Sequence, residues 1–165
     1  TALYAREVER GVNTYELDVP DAAEMAARMR TLVAAGYPYL VAEVDGRFAG
    51  YAYAASFRAR AAYRTTVENS VYVAPAMQGR GIGAALMARL IDACSTRGYR
   101  QMVSVIGDPA NLASIRLHER FGFRHIGTFP SIAYKHGRWL DTVFMQRALG
   151  EGTATAPGAT SPHRD

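Results

Sequence analysis

The chain has 165 residues, of which 49% are hydrophobic and 21% charged, with a net charge of +4 and one cysteine. That length and balance describe one soluble domain with room for a sizeable core. No run reaches the roughly 18 apolar residues of a membrane span, no signal peptide is recognisable, and a lone cysteine excludes an internal disulfide.

The unpaired Cys94 suits a reducing, cytoplasmic compartment. Arginine outnumbers acid between Phe57 and Arg100, which suits an anionic small ligand. No RNA or DNA motif accompanies that bias, so nucleic acid is not an expected partner, and neither is a membrane. No His, Cys or Asp cluster has metal-ligand spacing.

In chain order, Leu3, Tyr4 and Val8 predict a helix over residues 1–10, ended by Gly11. Residues 12–20 read as an irregular connection. Asp21 opens a second helix, with Glu24 three residues on as the acidic form of a capping box. Ala22, Met25, Met29, Leu32 and Val33 form a stripe expected to be buried, and Gly36 closes the helix. Residues 39–44 and 47–54 flank Asp45-Gly46, a two-residue hairpin signal. Residues 56–63 differ in character: Arg58, Arg60 and nearby Arg64 alternate with alanines and Tyr63, without a hydrophobic period. Such a segment is a solvated loop or a place where guanidinium groups grip an anion.

Residues 67–73 form a strand, in which Val67, Asn69, Val71 and Val73 alternate with Glu68, Ser70 and Tyr72. Pro75 stops the ladder because it has no N–H to give. Gly79, Gly81 and Gly83 then alternate with Arg80 and Ile82 ahead of a helix over 83–97, where Ile82, Leu86, Leu90 and Cys94 share a face. Cys94 is therefore core packing. Gly98 stops this helix, and residues 100–106 make an apolar, buried strand. After a loop at 107–110, Asn111 caps the helix carrying Ser114, Leu117 and His118, which Gly122 ends. A strand over 123–128 follows, then residues 131–134 paired with 139–146 around Lys135-His136-Gly137-Arg138. Residues 1–150 make the single domain, and residues 151–165 hold mostly small, polar and charged side chains, expected to be a disordered tail.

The glycine turn carries the first functional inference. Backbone without side chains at a helix N-terminus offers several N–H donors and a partial positive charge, and Arg80 adds a fork of donors. The turn is expected to hold a diphosphate. Gly79-Arg80-Gly81-Ile82-Gly83-Ala84 fits the loose dinucleotide pattern. In that fold the first glycine follows its strand almost directly, whereas here several residues separate Val73 from Gly79. The acid expected at the end of the next strand is missing too, since Asp108 comes too late.

Gln78-Gly79-Arg80-Gly81-Ile82-Gly83 resembles the Q/R-x-x-G-x-G/A signature of the GNAT-superfamily N-acetyltransferases. The run from Asn111 to Phe123 resembles that superfamily's N-x-x-(A/S)-x-x-L-Y-x-x-x-G-F helix, with His118 in place of the usual tyrosine. That histidine, with residues 66–73, 105–108 and 135–141, is similar to one branch, the phosphinothricin and methionine sulfoximine/sulfone acetyltransferases. The similarity runs from Tyr15 to Leu149. It implies the α/β (α+β) GNAT acyltransferase fold, a mixed, mainly antiparallel twisted sheet flanked by helices. The family's first strand has no counterpart here and no initiator Met is present, which together point to an N-terminal truncation.

The resemblance further implies a homodimer, acetyl-CoA as co-substrate without a metal, and N-acetylation of a small acidic amino acid analogue such as phosphinothricin. Acetyl-CoA would lie along Val71, Tyr72 and Val73, with its pyrophosphate on the turn from Gln78 to Gly83 and further contacts from Asn111 and Ser114. The acceptor would meet Arg58, Arg60 and Tyr63, together with Tyr15. Two readings compete with this one: a coenzyme A-binding sensor without turnover, and an acetyltransferase for a different small amine. Arginines at the acceptor site argue against polyamines, which call for carboxylates.

An α-amine has a pKa of about 8, so at neutral pH its proton must be removed before it attacks a thioester. Glu68 is the first candidate, acting through a water or by holding the ammonium. His118 is the second: it follows Ser114 by one helical turn and Asn111 by two, so the three share a face. Imidazole titrates near neutrality and would serve either as acid to the departing thiolate or as base to the amine. Each residue also has a bland alternative, Glu68 as a solvated or Arg64-paired strand residue and His118 as a satisfied structural histidine. His125 and His163 read as bland, and His136 as a weak acceptor-site candidate.

Overall fold

The computed structural model describes residues 1–158. Its strands are β1 (Tyr39–Val44), β2 (Arg47–Ser56), β3 (Thr66–Val73), β4 (Gln101–Ile106), β5 (Arg124–Lys135) and β6 (Arg138–Ala148). The α-helices are α1 (Ala2–Arg10), α2 (Ala22–Ala34), α3 (Ile82–Thr96) and α4 (Leu112–Arg120). The strands form one six-stranded sheet in the order β1-β2-β3-β4-β6-β5. Every neighbouring pair is antiparallel except β3 and β4. The hairpin turns are local: Asp45 and Gly46 at β1–β2, and His136 and Gly137 at β5–β6, all have positive φ, the backbone of a type I′ connection. A parallel pair needs a crossover instead, and α3 supplies it between β3 and β4.

Alternation along the strands sends side chains to two cores on opposite faces. On one face Leu86, Met87, Leu90 and Cys94 of α3 pack with Ala52, Ala54, Val67 and Met102 of the sheet. On the other, Tyr4 and Val8 of α1 pack on Tyr51 and Tyr72. Each leucine or methionine fully buried in the larger core contributes about 1.5–3 kcal/mol.

The structure departs from the sequence reading at several points. The stripe on α2 is not buried: Met29 is 39% and Val33 55% exposed, and only Met25 reaches the tyrosine cluster. The helix lies over the edge strand β1, and no described element covers its far flank. Its N-terminus forms as expected, with Asp21 accepting from the Glu24 amide at 2.8 Å, but the Glu24 carboxylate turns to Arg28 and does not reach back. The strands expected at 123–128 and 131–134 are a single strand, β5. Pro130 is tolerated there because β5 is the free edge of the sheet, and a register shift between Phe129 and Ala133 absorbs it.

In β3 the alternation holds, but Tyr72 is buried as well as Val67, at 8% against 0% exposure, with the ring of Tyr4 in α1 covering it edge-on at 5.6 Å. The final segment turns back on the body: Arg100 Nη2 donates to Thr155 Oγ1 at 2.9 Å and lies 3.2 Å from the Glu151 carboxylate. The rest of the expected tail, with His163, lies outside the described residues. Among the described residues no helix is long and apolar enough to cross a membrane.

Candidate active site

Parallel pairing between β3 and β4 covers only Thr66–Glu68 against Gln101–Val103. Beyond it the two strands part, leaving the β4-facing backbone of β3 from Asn69 onward without a strand partner. The gap opens into a cleft of about 660 Å³ lined by residues 12–15, β3, the glycine turn, the end of β4 and α4.

At one end of this cleft the turn into α3 is shaped by two glycines, Gly79 at φ 72° and Gly81 at φ 80°. A Cβ at either would meet nothing within 4 Å, so it is backbone conformation and not crowding that calls for glycine. Gly81 is the N-cap and has no side-chain capping bond, so the first N–H groups of α3 remain available to a ligand. A helix of this length adds its positive dipole end there. Arg80 stands beside the turn with its guanidinium 3.0 Å from Met77 Sδ. Gln78, Gly79, Gly81, Ile82 and Gly83 all line the cleft, as do Val71, Tyr72 and Val73 above them.

At the apex, where the strands part, α4 presents His118. The helix is seated by Asn111, whose side chain accepts from the Ser114 amide at 3.1 Å. His118 is 3% exposed, and both its ring nitrogens are engaged. Nδ1 lies 2.7 Å from the Ser114 carbonyl oxygen, so Nδ1 carries the proton. Nε2 lies 2.9 Å from Asn69 Nδ2 and therefore accepts. Phe123 stacks edge-on at 4.9 Å. Burial holds the imidazole pKa below its usual value, opposed in part by the Ser114 carbonyl. The neutral ring is thus saturated with hydrogen bonds, and the Asn69 carbonyl oxygen is left buried without a partner.

Glu68 projects from the opposite face of β3, into the same cleft. No described side chain pairs with it; the expected alternative of an Arg64 ion pair does not form. Desolvation raises its carboxyl pKa above the ordinary value, and the charge of Arg58 partly offsets this. A half-buried, unpaired carboxylate with a raised pKa is suited to hold or remove a proton.

The acceptor residues expected from the sequence divide. Tyr15 lines the cleft, and its hydroxyl pairs with Thr142 Oγ1 of β6. Arg58, Arg60 and Tyr63 lie in the exposed segment between β2 and β3, outside the cleft lining. The Arg58 guanidinium sits over the Phe57 ring, 5.1 Å from its centroid, and Phe57 meets Tyr63 edge-on. Asn111 and Ser114 face the cleft. Asn69, Asn13 and Thr142 were not singled out as site residues from the sequence. Asn69 carried a readable signal, a polar side chain on the apolar phase of a central strand. Asn13 Oδ1 accepts from Asn111 Nδ2 at 2.7 Å across 98 residues, which no local pattern encodes.

A bare glycine turn at a helix N-terminus and a parted strand pair share one cleft, an arrangement able to hold a diphosphate at one end and an extended chain along the strand. The model of the acetyltransferase (GNAT) family matches residues 4–123. A phosphinothricin N-acetyltransferase of Alcaligenes faecalis is 47% identical over 157 residues, 95% of this chain and 80% of that protein. An L-methionine sulfoximine/L-methionine sulfone acetyltransferase of Salmonella typhimurium is 47% identical over 119 residues, 72% of this chain and 69% of the other. The crystal structure of a GNAT superfamily phosphinothricin acetyltransferase from Sinorhizobium meliloti in complex with AcCoA superposes with a TM-score of 0.93 at 51% identity, covering 96% of this chain and 86% of that one. The chain belongs to the GNAT acetyltransferase family. It is an N-acetyltransferase, and acetyl-CoA is its acetyl donor.

Proposed function

We propose that this protein acetylates the α-amino group of a small amino acid bearing a second acidic or tetrahedral group, of the phosphinothricin, methionine sulfone or methionine sulfoximine type. The observation that carries this reading is the placement of Glu68 and His118 on the two sides of β3 where it leaves β4. Acetyl-CoA supplies the acetyl group as a thioester. Gly79, Gly81 and the first turn of α3 hold its pyrophosphate, with Arg80 adding charge, and the β4-facing backbone edge of Val71–Val73 orients the pantetheine arm and polarises the carbonyl. Asn111 and Ser114 complete the donor side. On the acceptor side Tyr15 forms a wall, while Arg58 and Arg60, with Tyr63, meet the acceptor's anionic groups at the mouth.

Glu68 receives the ammonium proton directly or through a water. His118 donates Nδ1–H to Ser114 and accepts from Asn69, so it enters proton transfer only after one of these bonds opens; as resting geometry this favours Glu68 as the base. Transfer is direct, within a ternary complex. The one described cysteine, Cys94, is fully buried away from the cleft, and burial pushes its thiol pKa up to about 12. A buried free thiol and an acetyl-CoA substrate suit a cytoplasmic setting.

The ribbon of β5 and β6 exposes Ile126, Phe129, Ile132, Tyr134 and Trp139, an apolar surface that supports a homodimer. Sedimentation equilibrium at micromolar protein tests that assembly, and a strictly monomeric species removes it.

The deciding assay is thiol release from acetyl-CoA with phosphinothricin, methionine sulfone, methionine sulfoximine and spermidine side by side. Turnover of the three amino acids and not of spermidine is expected. Turnover of spermidine alone sinks the acceptor assignment, and acetyl-CoA binding without any release makes the protein a sensor.

A further inference from the structure

The turn between β5 and β6 has no part in the roles above, yet it ties down both rims of the cleft. Lys135 is 2% exposed, and its Nζ donates to the carbonyl oxygens of Thr14 at 2.7 Å and Glu7 at 3.2 Å. A buried ammonium is costly unless its protons are accepted, and here main-chain oxygens from a distant segment accept them. Beside it, His136 Nε2 lies 3.0 Å from the Gly11 carbonyl oxygen. On the far side of the turn Arg138 donates to Asp108 at 2.7 Å, at the end of β4.

Residues 11–16 belong to no helix or strand, so their course is set by such contacts and not by a backbone ladder. They cross the cleft as a strap. Its underside rests on Gly107, where a Cβ would strike the Val12 carbonyl oxygen. Thr14 and Tyr15 line the same cleft as Glu68 and Ser70. Losing the Lys135 bond would free the Thr14 carbonyl directly beside Tyr15, while the glycine turn at the other end of the cleft makes no contact with this brace.

We propose that Lys135 is a positioning residue for the acceptor: through the Thr14 carbonyl it fixes the strap of residues 11–16, and with it Tyr15, at the width an amino acid needs. The inference rests on the acceptor assignment made above.

The test compares wild type with Lys135→Met, close in length and apolar, and with His136→Asn. Asparagine tolerates the left-handed backbone at position 136 (φ 50°) but is too short to reach Gly11, so the second variant loosens the strap without touching the core. Four quantities are read: acceptor KM, kcat, acetyl-CoA affinity by calorimetry, and amide hydrogen exchange of residues 12–16. Lys135→Met is expected to raise acceptor KM tenfold or more, with kcat within threefold, acetyl-CoA affinity within twofold, and faster exchange confined to the strap. His136→Asn should shift the same quantities in the same direction by a smaller factor. Unchanged acceptor KM in both variants overturns the inference, and so does a parallel loss of acetyl-CoA affinity, which would mean general loosening. If wild type turns over none of the amino acids, the acceptor assignment falls separately, and exchange alone then decides: an unchanged strap in Lys135→Met overturns the inference.

Discussion

Replacing Glu68 with glutamine separates its chemistry from its packing. The side chain lines the cleft without a hydrogen-bonding or ionic partner, so the amide fits the same space and orphans no neighbour. A positioned base typically contributes about 10²–10⁴-fold, or about 2.7–5.4 kcal/mol of barrier. Holding both substrates in place would continue to supply the remainder. Turnover at saturating acetyl-CoA and acceptor should therefore fall by that factor, with acetyl-CoA affinity unchanged.

Stability should move the other way. Desolvation raises the folded-state pKa of Glu68 above its unfolded value, so the folded protein binds this proton more tightly than the unfolded chain does. The wild-type penalty is absent below the ordinary carboxylate pKa, grows as pH rises toward the folded value, and is complete above it. Glu68→Gln removes it, so the variant should melt at or above the wild-type temperature at pH 7, and the two should converge toward pH 4. Thiol release and thermal melts between pH 4 and 8 measure both. Turnover within threefold of wild type at pH 7 would refute Glu68 as the base, and a lower melting temperature would refute the desolvation argument.

Gly81→Ala places a Cβ on a backbone at φ 80°, a conformation costing about 1–2 kcal/mol in a non-glycine residue. If the turn relaxes to avoid that strain, acetyl-CoA affinity should fall about 5- to 30-fold by calorimetry while acceptor KM stays put. His118→Tyr, which installs the residue usual in the wider superfamily, should flatten the acid side of the pH–stability curve. Burial depresses the folded-state pKa of His118, so wild type loses stability as pH falls through the unfolded value near 6.5 toward the folded one, and melts from pH 5 to 7 would show whether the variant escapes this. Arg58→Ala removes the charge that offsets Glu68 desolvation, so the ascending limb of the pH profile of kcat/KM should move to higher pH, accompanied by a higher acceptor KM. An unmoved limb would show that Arg58 does not act on Glu68.

Local chemistry in the chain already determined much of this molecule. Asp45-Gly46 sets a hairpin turn, Pro75 ends β3, Gly79 and Gly81 shape the turn into α3, and Asn111 seats α4, because each effect acts over a few residues and leaves a pattern in sequence. The same locality placed Glu68 and His118 as candidates. Burial of α2 did not follow from its stripe, because amphipathic periodicity names a face but not the element that covers it. The division of β5 was misread for a related reason: Pro130 breaks a strand in isolation, yet is accommodated once the strand lies at a sheet edge.

Only the tertiary structure decided what happens at the apex. The parting of β3 from β4 after Glu68 brings Asn69 to His118 across 49 residues, which occupies the imidazole's second nitrogen and changes how it can handle a proton. It also decided that the Lys135 ammonium meets Thr14 across 121 residues. Hydrogen bonds of this kind depend on the relative placement of whole elements, and that placement is set by the summed packing of two cores and not by any spacing along the chain.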